Sequence, residues 1–220
     1  MTPTVDGSIG AIRFPPPPAL EQAGWFQREL GKGEALYRVG DRGGTVYRVD
    51  EGLLKLAIEA PGGKERIVAL VGPGDVLGDL GPSSTCFQET AAALSDQAVV
   101  RAKSRSSLPP DSTDDLLCAA TTQLARLREV LEDAELPVNA RLARTLLRLG
   151  RRFGHRADDG SIRITLPLTH DNLAAMVGAA RETTSTALGQ IRAAGLLDGT
   201  RGRYSFQPER LDRYACEASS

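Results

Sequence analysis

Residues 169–191 read THDNLAAMVGAARETTSTALGQI, and this stretch decides the fold of the C-terminal part of the chain. Thr169 is a good N-cap residue for a first helix. The apolar residues that follow it at helical spacing are Leu173 and Met176 or Val177. Gly178 suits a tight turn, because glycine adopts a left-handed backbone at little cost. The stretch therefore predicts two helices joined by a tight turn.

The second of these helices has one inward stripe and one outward polar face. Its inward residues are Thr184, Ala187, Leu188 and Ile191. Its outward residues near the N-terminal end are Arg181, Glu182, Ser185 and Thr186. Side chains at this end of a recognition helix reach base edges in the major groove of DNA. These four outward residues are the candidate base contacts.

The flanking sequence extends the pattern to a winged helix-turn-helix. Residues 162–166 alternate polar and apolar side chains, which predicts a short strand before the helix pair. Residues 196–206 read as strand, glycine-containing turn and strand, with Arg201 and Arg203 at the turn. A helix pair alone also fits an ordinary αα-corner. The strand and the hairpin together favour a DNA-binding wing whose arginines contact phosphates.

Charge is divided unequally along the chain of 220 residues. Residues 1–137 contain 14 Lys and Arg against 20 Asp and Glu, a net −6, whereas residues 138–220 contain 13 Arg against 8 acidic residues, a net +5. The sum is the overall −1. This division predicts an acidic body joined to a basic module that binds nucleic acid.

The N-terminal part predicts an antiparallel β-sandwich or jelly roll. Residues 1–24 are polar and contain four consecutive prolines, and we expect a flexible tail there. Residues 25–107 alternate short apolar segments with Gly, Asp and Pro turns. The predicted strands are 36–38, 46–49, 53–58, 67–71, 91–94 and 98–100. The predicted fold class is α+β.

A long helix is predicted within residues 108–136, where the 25 residues from Asp111 to Glu135 contain neither Gly nor Pro. Its apolar residues step alternately by three and four, which is typical of a two-stranded coiled coil. They are Leu117, Ala120, Leu124, Leu127, Leu131 and Ala134. A dimer seam is favoured, and a helix lying on the sandwich is the alternative. Pro137 is the predicted start of a DNA-binding domain over 137–220, with Asn139 capping its first helix.

Several function classes are disfavoured by what the sequence lacks. No apolar run is long enough to span a bilayer and the N-terminus has no basic-then-apolar leader, so we expect a cytoplasmic protein without a membrane partner. Three widely spaced cysteines, Cys86, Cys118 and Cys216, offer no disulfide framework or zinc motif. Neither a catalytic constellation nor a metal-spaced cluster is present, so we expect no enzyme, metal or cofactor.

The order of jelly roll, long helix and winged helix-turn-helix resembles the cyclic-AMP receptor/FNR (CRP/FNR) family of bacterial transcription regulators over residues 25–215. Residues 180–184, ARETT, are similar to the family's Ser-Arg-Glu-Thr-Val at the start of the recognition helix. Residues 47–52 and 74–79 are similar to weaker motifs of its sandwich. The resemblance implies a homodimer that binds a pseudo-palindromic duplex DNA site and activates transcription through RNA polymerase.

The resemblance also implies individual roles for the residues of the DNA-binding half. Arg181 would read guanine and Glu182 the amino group of cytosine. The family often has arginine where this chain has Thr186, so we expect a different half-site. The implied phosphate contacts are Thr169, His170, Thr183, Arg201 and Arg203. The implied dimer contacts are Leu117, Leu124, Leu127 and Leu131.

The effector site of the cyclic-AMP-binding members is altered in this chain. Its equivalent residues here are Gly78, Asp79, Glu89 and Thr90. Those members bind the cyclic phosphate with an arginine, and Glu89 occupies that position, where a carboxylate repels the phosphate. Arg126 and Leu127 replace a Thr-Ser pair that contacts adenine. We expect regulation without cyclic AMP, and the alternative is a small-molecule or redox effector, for which Cys86 is the candidate thiol.

Overall fold

The computed structural model describes residues 24–81 and 86–218. Of the predicted tail, only Gly24 falls within these ranges. The chain divides into two compact units between Glu132 and Asp133. We call them the N-terminal unit and the C-terminal unit and describe each by itself.

The N-terminal unit is an antiparallel β-sandwich. Its described residues form eight strands: β1 Phe26–Gly31, β2 Ala35–Tyr37, β3 Thr45–Glu51, β4 Leu54–Ala60, β5 Lys64–Val71, β6 Val76–Gly78, β7 Thr90–Ala93 and β8 Gln97–Ser104. One sheet has the order β1-β8-β3-β6 and the other β2-β7-β4-β5. Every pairing within these sheets is antiparallel. The jelly-roll prediction is confirmed.

Alternating apolar residues from the two sheets form the core of the sandwich. Side chains such as Leu30, Leu54 and Leu77 are almost fully buried. All six predicted strands are present, and β1 and β6 were not predicted. β1 has only one buried residue, so its sequence shows no apolar alternation. β6 has only three residues and directly follows a Gly-Pro-Gly-Asp turn, so its sequence is too short to show a strand pattern.

A single long helix follows the sandwich within the same unit. α1 runs over Ser112–Glu132, about four residues shorter at each end than the predicted segment 108–136. Pro109 and Pro110 precede it, and proline disfavours a helical conformation in the residue before it. Leu116 packs on the sandwich with Val46 and Val76, and Arg126 forms an ion pair with Asp75 at 3.0 Å.

The leucines of the predicted seam lie on another face of α1 and are exposed. Leu117, Leu124 and Leu131 are each more than 60 % exposed, and Leu127 is 41 % exposed. An exposed row of large apolar side chains is unfavourable in water and typically marks an interaction surface. The alternative prediction, a helix lying on the sandwich, is also met, because Leu116 and Arg126 contact the sandwich. The leucine seam takes no part in this contact.

The C-terminal unit combines helices with a small sheet. Its elements are α2 Val138–Phe153, β9 His155–Arg156, β10 Ile162–Thr165, α3 His170–Val177, α4 Arg181–Ala193, β11 Asp198–Thr200, β12 Arg203–Phe206 and α5 Pro208–Glu217. The sheet order is β11-β12-β10-β9. Its largest fully buried side chains are Leu142, Leu146, Ile164, Leu173, Leu188, Ile191 and Leu211. This is the predicted winged helix-turn-helix, with α5 as an unpredicted addition.

Asp133 and Asn139 make polar contacts at the start of this unit. Asp133 is buried, and its two carboxylate oxygens bind the guanidinium groups of Arg144 and Arg148 on α2. Paired charges of this kind offset the desolvation of a buried carboxylate. The prediction that Asn139 caps α2 was wrong. Pro137 is the N-cap, so Asn139 lies inside the first turn, where its amide donates to the Tyr214 hydroxyl at 3.2 Å.

No helix in residues 24–81 and 86–218 has the length and apolar character needed to cross a membrane.

Candidate nucleic-acid interface

The first helix of the pair, α3, is fixed at both ends by local hydrogen bonds. Thr169 and Asn172 form a reciprocal capping box: the Thr169 hydroxyl accepts from the Asn172 backbone at 3.1 Å, and the Asn172 side chain accepts from the Thr169 backbone at 2.9 Å. Gly178 ends the helix in a left-handed conformation with φ of +64°. The tight turn lies where the sequence predicts it.

The second helix, α4, is anchored by its inward stripe. Thr184, Ala187, Leu188 and Ile191 are all buried, as predicted. The Thr184 hydroxyl donates to the backbone carbonyl of Ala180 at 3.0 Å, which satisfies the one buried polar side chain in this stripe. The packing leaves a polar surface on the other side of α4. Its exposed members near the N-terminal end are Arg181, Glu182, Thr183 and Thr186.

Two side-chain contacts link α3 to this polar surface of α4. Arg181 Nε lies 3.7 Å from a carboxylate oxygen of Asp171, and both side chains are about two-thirds exposed. His170 Nδ1 lies 2.9 Å from the Ser185 hydroxyl, and both residues are half-buried. Neither contact was predicted from the sequence, because the two pairs join residues ten and fifteen positions apart and depend on how the helices cross.

The wing places its two predicted arginines at the surface. Arg201 and Arg203 are exposed, whereas Tyr204 and Phe206 on the same hairpin are buried. Arg201 has φ of +52°, a left-handed backbone that is uncommon outside glycine. Arg192 of α4 donates to the backbone carbonyl of Gly199 at 3.0 Å. The wing is therefore tied to the same helix that carries the candidate base contacts.

The glycines of the wing are required by close backbone approaches. A Cβ at Gly199 would lie 2.1 Å from the Arg203 carbonyl oxygen, and one at Gly202 would lie 1.9 Å from the Leu166 carbonyl oxygen. Both residues also have positive φ, near +80°. The Gly202 carbonyl accepts a hydrogen bond from the Leu166 backbone at 2.9 Å, which attaches the turn to the segment after β10.

The residues equivalent to the family's effector site contact backbone atoms of neighbouring residues in the sandwich. Asp79 is buried and accepts from the Gly44 backbone at 2.8 Å. Gly78 has φ of +100°, and a Cβ there would lie 2.6 Å from the Thr45 carbonyl oxygen. Thr90 accepts from the Val39 backbone at 3.2 Å. These contacts give Gly78, Asp79 and Thr90 structural roles in the sandwich.

Glu89 is half-buried beside an aromatic stack. The Tyr37 hydroxyl donates to its carboxylate at 3.2 Å, and the Tyr37 ring stacks on Phe87 and Tyr47 with centroids 3.9 and 5.5 Å away. Burial raises the pKa of Glu89, and the hydrogen bond from Tyr37 opposes this in part. Burial, with the nearby Glu89 charge, raises the pKa of Tyr37, so its hydroxyl remains a donor.

The raised pKa of Glu89 predicts how stability depends on pH. The folded protein binds this proton more tightly than the unfolded chain, so stability is lost as pH rises from the ordinary carboxyl pKa through the raised one. Glu89→Gln keeps an oxygen for Tyr37 but carries no charge. We expect this variant to gain stability over wild type as pH increases through that window, with a plateau above the raised pKa.

The measurement is urea unfolding of both proteins from pH 4 to pH 8. Glu59→Gln is the control, because Glu59 is exposed on β4. A constant difference between wild type and Glu89→Gln at all pH values would contradict the assignment.

Comparison with known proteins finds one matching domain family for each of the two units. Residues 27–108 match the cyclic nucleotide-binding domain, and residues 140–214 match the Crp-like helix-turn-helix domain. A CRP-like cAMP-activated global transcriptional regulator of Mycobacterium tuberculosis is 31 % identical over 176 residues, which is 76 % of this chain and 77 % of the relative. The transcriptional activator protein FnrA of Stutzerimonas stutzeri is 28 % identical over 78 % of this chain and 72 % of its own length.

Solved structures show the same fold. FixK2 of Bradyrhizobium japonicum superposes with a TM-score of 0.74 at 22 % identity, over 90 % of this chain and 98 % of FixK2. A CRP/FNR-family regulator of Thermus thermophilus gives 0.68 at 25 % identity, over 89 % of this chain and the whole of that one. The same family is indicated by the order of the two domains, by the identity to the mycobacterial relative and by the helix-turn-helix geometry. The protein is a member of the CRP/FNR family of transcription regulators, with a helix-turn-helix DNA-binding domain.

Proposed function

We propose that the protein is a homodimeric transcription activator that binds a pseudo-palindromic duplex DNA site without cyclic AMP. The observation that carries this proposal is the outer surface of α4, which is polar and exposed, whereas the opposite side of the helix is buried. A helix with this arrangement fits the major groove of B-DNA. In a dimer, two such helices enter successive grooves about one helical turn apart.

The exposed residues of α4 supply the base contacts in this proposal. Arg181 presents a guanidinium that matches the O6 and N7 atoms of guanine, and Glu182 presents a carboxylate that accepts from the amino group of cytosine. Ser185 and Thr186 complete the surface one turn further along the helix. Arg181, Glu182 and Thr186 are exposed, and Ser185 is half-buried.

The phosphate contacts in this proposal come from α3, from α4 and from the wing. Thr169 and His170 lie at the N-terminus of α3, and Thr183 lies in the first turn of α4. The exposed Arg201 and Arg203 of the wing supply the remaining phosphate contacts. Contacts to phosphate orient the protein on DNA without reading sequence.

Dimerisation uses the exposed leucine face of α1 in this proposal. Leu117, Leu124, Leu127 and Leu131 repeat at the coiled-coil spacing and are all exposed in the single chain. Pairing of two such faces removes these side chains from water, and each leucine contributes about 1.5–3 kcal/mol when fully buried. Each chain contributes one helix to this interface, as expected for a two-stranded coiled coil.

Independence from cyclic AMP rests on Glu89. By the resemblance to the family, Glu89 is equivalent to the phosphate-binding arginine, and it is half-buried in this structure. Asp79, another residue of the equivalent site, accepts a hydrogen bond from the Gly44 backbone. A carboxylate without bulk solvent around it strongly disfavours a phosphodiester. The competing proposal is a cAMP-activated regulator, which the similarity to the cAMP-activated regulator of Mycobacterium tuberculosis favours. Activation, by contact with RNA polymerase, is proposed because FnrA is named a transcriptional activator.

Selection of bound sequences from random duplex DNA, with and without cyclic AMP, tests the proposal. We expect the same two-fold motif in both conditions. A motif recovered only with cyclic AMP would support the competing proposal, and failure to recover a motif in either condition would indicate that another effector is required. Transcription in vitro from a promoter that carries the motif then measures activation.

The wing arginine gives a separate prediction. Arg203→Ala is expected to weaken binding to all DNA sequences by the same factor and to reduce the slope of log K against log salt by about one, because one phosphate contact is lost. The measurement is a salt titration of binding to the selected site and to an unrelated duplex. The control is Arg156→Ala, which removes an exposed arginine on β9 away from the wing. A loss confined to the selected site would contradict the phosphate role.

A further inference from the structure

The hydrogen bond between His170 and Ser185 constrains what Ser185 can read. His170 is the first residue of α3, and Ser185 lies one turn into α4. The 2.9 Å separation of His170 Nδ1 and Ser185 Oγ engages the hydroxyl before DNA is present. Both residues are half-buried at the surface between the two helices, so this contact is part of the unit's own packing.

The direction of this hydrogen bond depends on where the imidazole carries its proton. A neutral imidazole has one donor nitrogen and one acceptor nitrogen, and a hydroxyl has one proton and two lone pairs. A contact from His170 to a DNA phosphate requires an N–H donor, because phosphate oxygens only accept. Nε2 is the ring nitrogen left for this contact. In the neutral imidazole a proton on Nε2 makes Nδ1 the acceptor, and the Ser185 hydroxyl then donates to Nδ1.

This arrangement leaves Ser185 with lone pairs but no free proton. Its oxygen then accepts from the exocyclic amino group of adenine or cytosine, and it has nothing to donate to guanine O6 or thymine O4. We propose that His170 is a positioning residue that makes Ser185 a hydrogen-bond acceptor and so selects adenine or cytosine at the base that Ser185 reads. This inference rests on the proposed DNA-reading role of α4.

The sharpest test replaces the imidazole with a group that keeps the phosphate contact but cannot accept. His170→Arg retains a donor for the phosphate and has no acceptor atom, so the Ser185 proton is released to the DNA. The readout for this variant is its base preference, which is compared within one protein and so does not depend on its overall affinity for DNA. Its preference at one position of each half-site shifts toward guanine or thymine by about three- to tenfold, the effect of one hydrogen bond.

Two further variants separate positioning from general damage. Ser185→Ala is expected to lose the adenine or cytosine preference at the same position. When Ser185→Ala is combined with His170→Arg, the shift toward guanine or thymine should disappear. Arg203→Ala is the matched control, because it removes a phosphate contact that does not touch Ser185. It should lower affinity and leave base preference unchanged. Selection from random duplex DNA gives the base preference of every variant, and circular dichroism confirms that each is folded.

The outcomes distinguish this inference from the proposed function. If wild type yields a two-fold motif and His170→Arg yields the same base at every position, the positioning role is wrong and the DNA-binding proposal stands. Ser185→Ala without any change in base preference also overturns it. If wild type yields no two-fold motif with or without cyclic AMP, the proposed effector-independent DNA binding fails, and this inference, which rests on it, fails with it.

Discussion

Leu124→Asp is expected to convert the protein from a dimer to a monomer and to weaken binding to a full two-fold site by at least about a hundredfold, because the two recognition helices then bind independently. Leu124 is 67 % exposed at the centre of the leucine face of α1. An aspartate there places two like charges against each other across a pair of helices. Each side chain also loses its apolar contact, so both effects disfavour the dimer.

The measurement for this variant is sedimentation equilibrium together with binding to a full site and to a single half-site. Ala125→Asp is the matched control, because it introduces the same side chain at an exposed neighbouring position outside the seam. The control should remain dimeric and bind the full site normally. A Leu124→Asp protein that stays dimeric would place the interface on another surface.

Arg181→Ala is expected to weaken binding to the preferred site by about 1–3 kcal/mol and to relax specificity at one base pair of each half-site. The guanidinium of Arg181 is exposed at the start of α4, where it can present two donors to guanine. Removal of both donors affects only sequences that supply the matching acceptors. Affinity for unrelated DNA should therefore change much less.

The control for this variant addresses the ion pair between Arg181 and Asp171. Asp171→Asn removes the charge of the partner and keeps Arg181. An exposed pair contributes at most about 1 kcal/mol, so this control should retain the base preference of wild type. Competition binding against single-base variants of the site measures both effects. An equal loss on all sequences from Arg181→Ala would contradict its base-reading role.

The sequence predicted the parts of the fold that a local pattern of residues determines. The leucine spacing of α1, the inward stripe of α4 and the turn at Gly178 each depend on residues close together in the chain, and the structure shows all three. Short elements without a periodic pattern escaped prediction, as β1 and β6 show. Asn139 failed as a cap because Pro137 begins the helix earlier.

The candidate site divides in the same way. The exposure of Arg181, Glu182, Arg201 and Arg203 follows from helix and hairpin periodicity and was predictable. The link between His170 and Ser185 was not, because it depends on the crossing geometry of two helices rather than on either sequence motif. The pairing of Glu89 with Tyr37 likewise joins residues 52 positions apart, so only the folded sandwich brings them together.

The wing glycines restrict how this regulator can diversify. Positions 199 and 202 have no room for a Cβ, so a library randomised over residues 198–204 should recover glycine at both among folded clones. Changes in wing charge are then confined to neighbouring exposed positions such as Arg201 and Arg203. A descendant that needs tighter or weaker attachment to DNA can gain or lose basic side chains there while the shape of the loop is inherited unchanged.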